Sequence, residues 1–167
     1  MKTITTSALA AVYEAGADAT NDLEARYIGR LWRALIERQY AALVAETGVS
    51  VTFVAGQPFD AAEPMLDYIC SAKHLPISTD YNHSELNGTE GNLLFRAAHD
   101  LSHYLCDIAH KGSGRRCNFA LDGETRACHK QTTHLLELYD EGRYDPALRG
   151  ENRSRIVQIA FSEVVLQ

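Results

Sequence analysis

Apolar residues recur at helical spacing over most of this chain. Between residues 22 and 46, Leu23, Tyr27, Leu31 and Leu35 return every fourth position beside Ile28, Trp32 and Ile36, which predicts a long amphipathic scaffold helix. From about Glu90 to Ile108 the series Leu93, Leu94, Ala97, Ala98, Leu101, Leu105 and Ile108 predicts a second, almost uninterrupted one. Two more are expected, one from Asp122 as N-cap to about Leu138 and one from about Glu151 to Val165. Asp60 with Glu63 resembles a capping box and opens a shorter helix carrying Met65, Leu66 and Ile69, with Pro64 in the first turn, where proline is best tolerated.

The period changes at Val49 to Val54, where Val, Thr and Phe alternate with small residues as in a short strand that Gly56-Gln57-Pro58 ends. Residues 75 to 88 contain Pro76, Asp80, Asn82, Asn87 and Gly88, leaving room for at most one more short strand. Gly112, Ser113, Gly114 and Asn118 mark a loop after Ile108, and Asp140 to Pro146 a turn-rich connection. No repeat, low-complexity tract or linker interrupts the pattern. The expected fold is mainly α with a small β-sheet, an α+β class, in one domain spanning residues 1–167.

Composition narrows the function. A chain of 167 residues that is 46% hydrophobic buries about two-thirds of its unfolded surface, so a metal would serve chemistry more than bare stability. The net charge of −6, from 22 acidic and 16 basic residues, argues against extensive nucleic-acid binding, which needs clustered Lys and Arg. Residues 1 to 19 superficially resemble a signal peptide, but Thr3, Thr5, Thr6 and Ser7 dilute the apolar run and Glu14 follows it, so export is not expected. No window approaches the ~20 apolar residues of a membrane helix. A cytoplasmic protein is expected, with four reduced, mostly packed cysteines at 70, 106, 117 and 128 and no CxxC pair.

The second long helix carries the candidate chemistry. His99 and His103, four apart, share one face about one turn apart, the geometry by which an H-E-x-x-H helix offers two imidazoles to one ion. Asp100 stands where that motif has Glu; one methylene shorter, it remains a candidate general base. A catalytic zinc site usually takes three protein ligands, and Glu124, at the start of the next helix, is the best third if the two helices run antiparallel in a zincin-like pair. Asp107 lies on the same face as a further ligand or as a carboxylate orienting a histidine. Two imidazoles and a carboxylate suit zinc or another first-row divalent ion.

Other residues carry less. His129 and His134, five apart, fall on different helix faces. Arg115, Arg116, Arg126, Arg149, Arg153 and Arg155 are either a solvated face or a holder for an anionic substrate. Cys106 and Cys128 lie near the site without a base partner and are read as packing residues.

Two resemblances bear on this helix. His99-Asp100 resembles the His-Asp doublet of the HD phosphohydrolases, with His74 or His83 as the upstream ligand and Asp140 or Asp145 as the distal one. More extensively, Phe95 to His103 resembles the F-R-A-x-H-D-x-x-G-H signature of an uncharacterised family of phage and plasmid proteins. Gln57-Pro58-Phe59-Asp60 through Met65 and Phe119 through Gly123-Glu124 resemble that family's flanking segments, so the likeness covers roughly residues 50 to 130. It implies metal ligation by His99, His103 and Glu124, with departures at Ser102, where the family usually has Gly, and at Gln131, where many members have His. The expected function is a zincin-like metal-dependent hydrolase of phage or mobile-element origin, at work in the host cytoplasm on an unidentified substrate. The alternatives are an HD-type phosphohydrolase and a non-enzymatic protein that binds and inhibits a host factor.

Overall fold

The computed structural model describes residues 23–80, 82, 84, 87–111, 116–142 and 149–165, with side chains up to residue 161. The fold is mainly helical with a small two-stranded parallel sheet, an α+β arrangement. In chain order the elements are α1 (Leu23–Thr47), β1 (Ser50–Val54), α2 (Ala62–Ala72), β2 (His74–Ser78), α3 (Gly88–Ala109), α4 (Leu121–Glu141) and α5 (Arg149–Val165). The signal-like stretch at residues 1 to 19 lies outside the described residues, and none of the described helices is long and apolar enough to cross a membrane.

α3 is the central element because its two apolar sides enter two different core clusters. Phe95 joins Ile28, Trp32, Leu35, Leu135 and Ile156, where α1, α4 and α5 meet. Ala97, Ala98 and Leu101 join Met65, Leu66, Ile69, Leu75 and Ile77, where α2 and β2 cover the opposite side. Each large apolar side chain buried this way contributes about 1.5–3 kcal/mol, so the helix bearing the two histidines is held from both sides. Leu23, at the start of the predicted stripe, is instead 76% exposed, and burial on α1 begins with Ala25 and Ile28.

The connections follow local chemistry. α1 stops at Gly48, whose φ of +63° suits a left-handed helix cap and whose N–H bonds to Val44 O at 3.0 Å. The parallel strands pair in the register Ser50↔His74 through Val54↔Ser78, and α2 provides the crossover that parallel strands require. Two expected caps are not formed. α2 begins after Ala61 with no side-chain cap, so Asp60 and Glu63 make no capping box. α4 begins after Ala120, which places Asp122 inside the first turn, paired with Arg126, rather than at the N-cap. In both cases the helix starts one or two residues from the expected boundary, and the acidic side chains still favour the positive helix end.

Candidate metal centre

His99 and His103 project from one face of α3 with ring centroids 4.8 Å apart and planes nearly perpendicular. α4 runs antiparallel to α3: Gln131 bonds to Phe95 O, while Glu124 meets His99 and His103 further along. Glu124 reaches both imidazoles, with Oε2 2.9 Å from His99 Nε2 and Oε1 3.4 Å from His103 Nε2. The two Nε2 atoms are 3.2 Å apart. All three residues offer ligand atoms within 4.8 Å of one another, so His99, His103 and Glu124 are positioned to hold a metal ion. With metal–ligand bonds of about 2.0–2.1 Å, a tetrahedral site has ligand atoms about 3.3 Å apart, the scale of these three separations.

The ring nitrogens turned away from the cluster fix its chemistry. His103 Nδ1 lies 3.1 Å from Cys117 O, a carbonyl that can only accept, so Nδ1 carries the hydrogen. His99 Nδ1 lies 3.0 Å from Gln131 Oε1. That amide is oriented by its other end, where Gln131 Nε2 donates to Phe95 O at 3.2 Å and to Gln39 Oε1 at 3.5 Å. Gln39 in turn donates to Gln131 O at 2.7 Å, tying α1 into the support. Both histidines, when neutral, therefore aim an Nε2 lone pair at the other and at a carboxylate. Only a cation or an added proton reconciles three such donors, and buried histidines supported through Nδ1 are the usual partners of a metal.

Titration follows the same geometry. Burial opposes charging His99, yet the Glu124 hydrogen bond and the charges of Asp100 and Glu124 outweigh it and raise its pKa. Burial also acts against the Glu124 carboxylate, but hydrogen bonds from His103 and His99 prevail and lower it to about 2. Asp100 is raised by burial, against the lowering charges of His99, His103 and Arg96.

Glu124 is held by a close backbone approach. A Cβ on Gly123 would lie 1.8 Å from Asn118 O, so this position admits only glycine while the 116–120 segment crosses the start of α4. Glu124 N bonds to Ala120 O at 2.9 Å, fixing the first turn. Phe119 closes the cluster edge-on against His103, at 5.3 Å between centroids. Ser102 points away, donating to Ala98 O at 2.8 Å, so a serine fits this helix without disturbing the histidines.

The cluster opens into a cleft of about 490 Å³ lined on its apolar side by Phe59, Met65, Pro76 and Phe119 and on its polar side by Arg96 and Asp100. Asp100 makes no hydrogen bond or ion pair among the described residues and shares this cleft with His99 and Glu124. Arg96 donates to Ser78 O at 3.1 Å, binding the end of β2 to α3 at the cleft margin.

The remaining sequence candidates lie elsewhere. Asp107 is not in the cluster; it accepts from Arg116 Nε at 3.0 Å and from Cys117 N at 3.2 Å, anchoring the segment whose carbonyl holds His103. His74 bonds to Thr52 and Tyr68, and Asp140 pairs with Arg149 and Arg153, so neither joins the His99-Asp100 doublet. His83, Asp145 and Arg115 fall outside the described residues. Arg116, Arg126 and Arg155 are paired with Asp67 and Asp107, with Asp122, and with Glu24 and Glu151 respectively. His134 keeps a buried Nδ1 without a hydrogen-bond partner, and His129 lines a separate groove. Cys106, Cys117 and Cys128 are buried and free, whereas Cys70 is exposed. Gln39, the Gln131 amide and the Cys117 carbonyl were not legible as supports, since their partners are 14 to 92 residues away. Compared with protein-family models, curated proteins and solved structures, the chain matches none.

Proposed function

We propose that this protein is a zinc-dependent hydrolase of zincin-like type, with His99, His103 and Glu124 as ligands and Asp100 as general base. The observation that carries the reading is the convergence of two imidazole Nε2 atoms and a carboxylate while both Nδ1 atoms are committed to acceptors. Two nitrogens and one carboxylate oxygen suit zinc better than calcium or magnesium, and three protein ligands leave a fourth position for chemistry. Bound there, zinc supplies Lewis acidity and a water of lowered pKa.

The chain's own groups provide the rest. Asp100, with its raised pKa and its place in the same cleft, is suited to take a proton from the attacking water and return it to the leaving group. Phe59, Met65 and Phe119 exclude bulk water from one side. The strand register turns the backbone groups of Leu75 and Ile77 toward β1 and those of Pro76 and Ser78 toward the other edge, and these residues line the cleft. Pro76 has no N–H and Ser78 O already accepts from Arg96, so this edge is open to an extended backbone only in part, and peptides are the first substrates to assay.

The test is hydrolysis of a fluorogenic peptide mixture by the zinc-loaded protein, by chelated protein and by Asp100→Asn. The expected result is turnover in the first alone. Equal turnover in all three, or none in any across peptide and ester mixtures, overturns the hydrolase reading.

A further inference from the structure

We propose that Cys106 and Cys117 form a peroxide-sensitive thiol pair beneath the metal-ligand cluster, and that closing it to a disulfide weakens metal binding. Cys106 sits on α3 one turn beyond His103, and Cys117 lies in the segment leading to α4. The two are buried together with Ala127 in a small cluster of their own. Both are free cysteines, so the pair is available for oxidation.

Cys117 touches both halves of the ligand set. Its carbonyl receives the His103 Nδ1–H at 3.1 Å, its sulfur lies 3.4 Å from His103 Nδ1, and the same sulfur lies 3.4 Å from the carbonyl of Gly123, the residue before Glu124. Cys106 is tied to α4 from the other side, its sulfur 3.7 Å from Arg126 O. Drawing the sulfurs to a bond of about 2.05 Å pulls Cys117 toward α3, away from the position in which it holds His103 and meets Gly123.

A route for the oxidant exists. Cys106 lines a groove of about 780 Å³ whose margin includes His110, Arg126, His129 and Lys130. Arg126, whose carbonyl meets the Cys106 sulfur and whose cation shares this groove, favours the thiolate there. The Cys106 thiolate attacks one oxygen of hydrogen peroxide, breaking the O–O bond to give a sulfenic acid and hydroxide, which is protonated to water. The Cys117 thiol then attacks the sulfenic sulfur, forming S–S and releasing a second water. Two thiols are oxidised to one disulfide, and one peroxide is reduced to two waters.

The consequence for metal rests on the ligand assignment above, whereas disulfide formation does not, so the experiment reads them separately. The folded, chelated protein is treated with hydrogen peroxide, alkylated and mapped by mass spectrometry; zinc affinity is then titrated against a chromophoric chelator before and after oxidation, and after dithiothreitol. A linked Cys106–Cys117 peptide is expected, with affinity lowered about tenfold or more, the scale for disturbing a group that orients a ligand, and restored on reduction. Cys106→Ala should keep its zinc affinity through the same treatment. Alkylation of both cysteines after peroxide overturns the proposal, as does a disulfide that leaves zinc affinity unchanged. If the reduced protein binds no zinc, the ligand assignment and the coupling fall together, while the peptide map still decides whether the thiol pair closes.

Discussion

The side-chain oxygen of Gln131 sits 3.0 Å from His99 Nδ1, held there by an amide whose nitrogen is committed to Phe95 O and Gln39. At position 131 the chain has a side chain that orients His99. Gln131→Leu should therefore retain zinc binding but weaken it by about 10- to 100-fold, since the imidazole loses the partner that sets its tautomer. It should also cost about 1–3 kcal/mol in stability, because the buried Gln39 Oε1 and Phe95 O lose the Gln131 Nε2 donor. Competitive zinc titration and urea unfolding of the variant measure the two effects, and unchanged affinity would show that the amide is incidental to the site.

Gly123→Ala puts a methyl group where Asn118 O already stands. The 116–120 segment or the start of α4 must move, and Glu124 moves with it. A loss of thermal stability accompanied by weaker zinc binding is expected. Thermal unfolding with and without zinc distinguishes this from a purely structural defect, which would lower both melting temperatures equally and leave the zinc-induced increment intact.

The histidine and carboxylate shifts give the site a pH signature. The His99 pKa is raised from its ordinary 6.5, so its contribution to the stability of chelated protein is full below 6.5 and disappears as pH rises through the folded value. Glu124 is lowered from 4.5 to about 2, so its contribution is full above 4.5 and is lost as pH falls toward 2. Zinc competes with the His99 proton, so the melting-temperature increment caused by zinc should be small at pH 5 and grow toward pH 8. A zinc increment independent of pH would mean that the ion binds away from the imidazoles.

Much of this was legible from periodicity. The apolar series on α1 and α3 placed both helices within two residues of their ends, and the four-residue spacing of His99 and His103 on a firmly periodic segment put the imidazoles on one face. The resembling signature, as written, sets its histidines five apart, one more than here, so helical spacing carries the pair better than the likeness does. Glu124 could be nominated because only its arrival from an antiparallel neighbour was needed. Gln39 could not: nothing in an α1 glutamine signals a partner 92 residues away. The strict need for Gly123 and the joint burial of Cys106 and Cys117 were equally invisible, since both depend on how the 116–120 segment crosses α4. The missed caps at Asp60 and Asp122 reflect acidic residues that serve a helix's first turn as readily as its cap.

Asp100→Asn keeps the shape of the side chain and removes its basicity. In the proposed hydrolase it should lower turnover by about 10²- to 10⁴-fold while zinc content and melting temperature stay close to those of the parent protein. Steady-state kinetics together with elemental analysis test this. Should the biological effect of the protein persist in Asp100→Asn and vanish on disrupting a surface patch, the protein acts by binding a host factor rather than by hydrolysis.

The central claim is that His99, His103 and Glu124 hold one metal ion, and zinc titration of chelated protein against a competing chelator tests it most directly. One equivalent should bind the parent protein, Glu124→Gln should lower affinity by several orders of magnitude through replacement of an anionic ligand by an amide, and Asp107→Asn should lower it only about 10- to 100-fold. The contradicting result is a folded parent protein that takes up no zinc or other first-row divalent ion, or one whose affinity survives Glu124→Gln and collapses in Asp107→Asn.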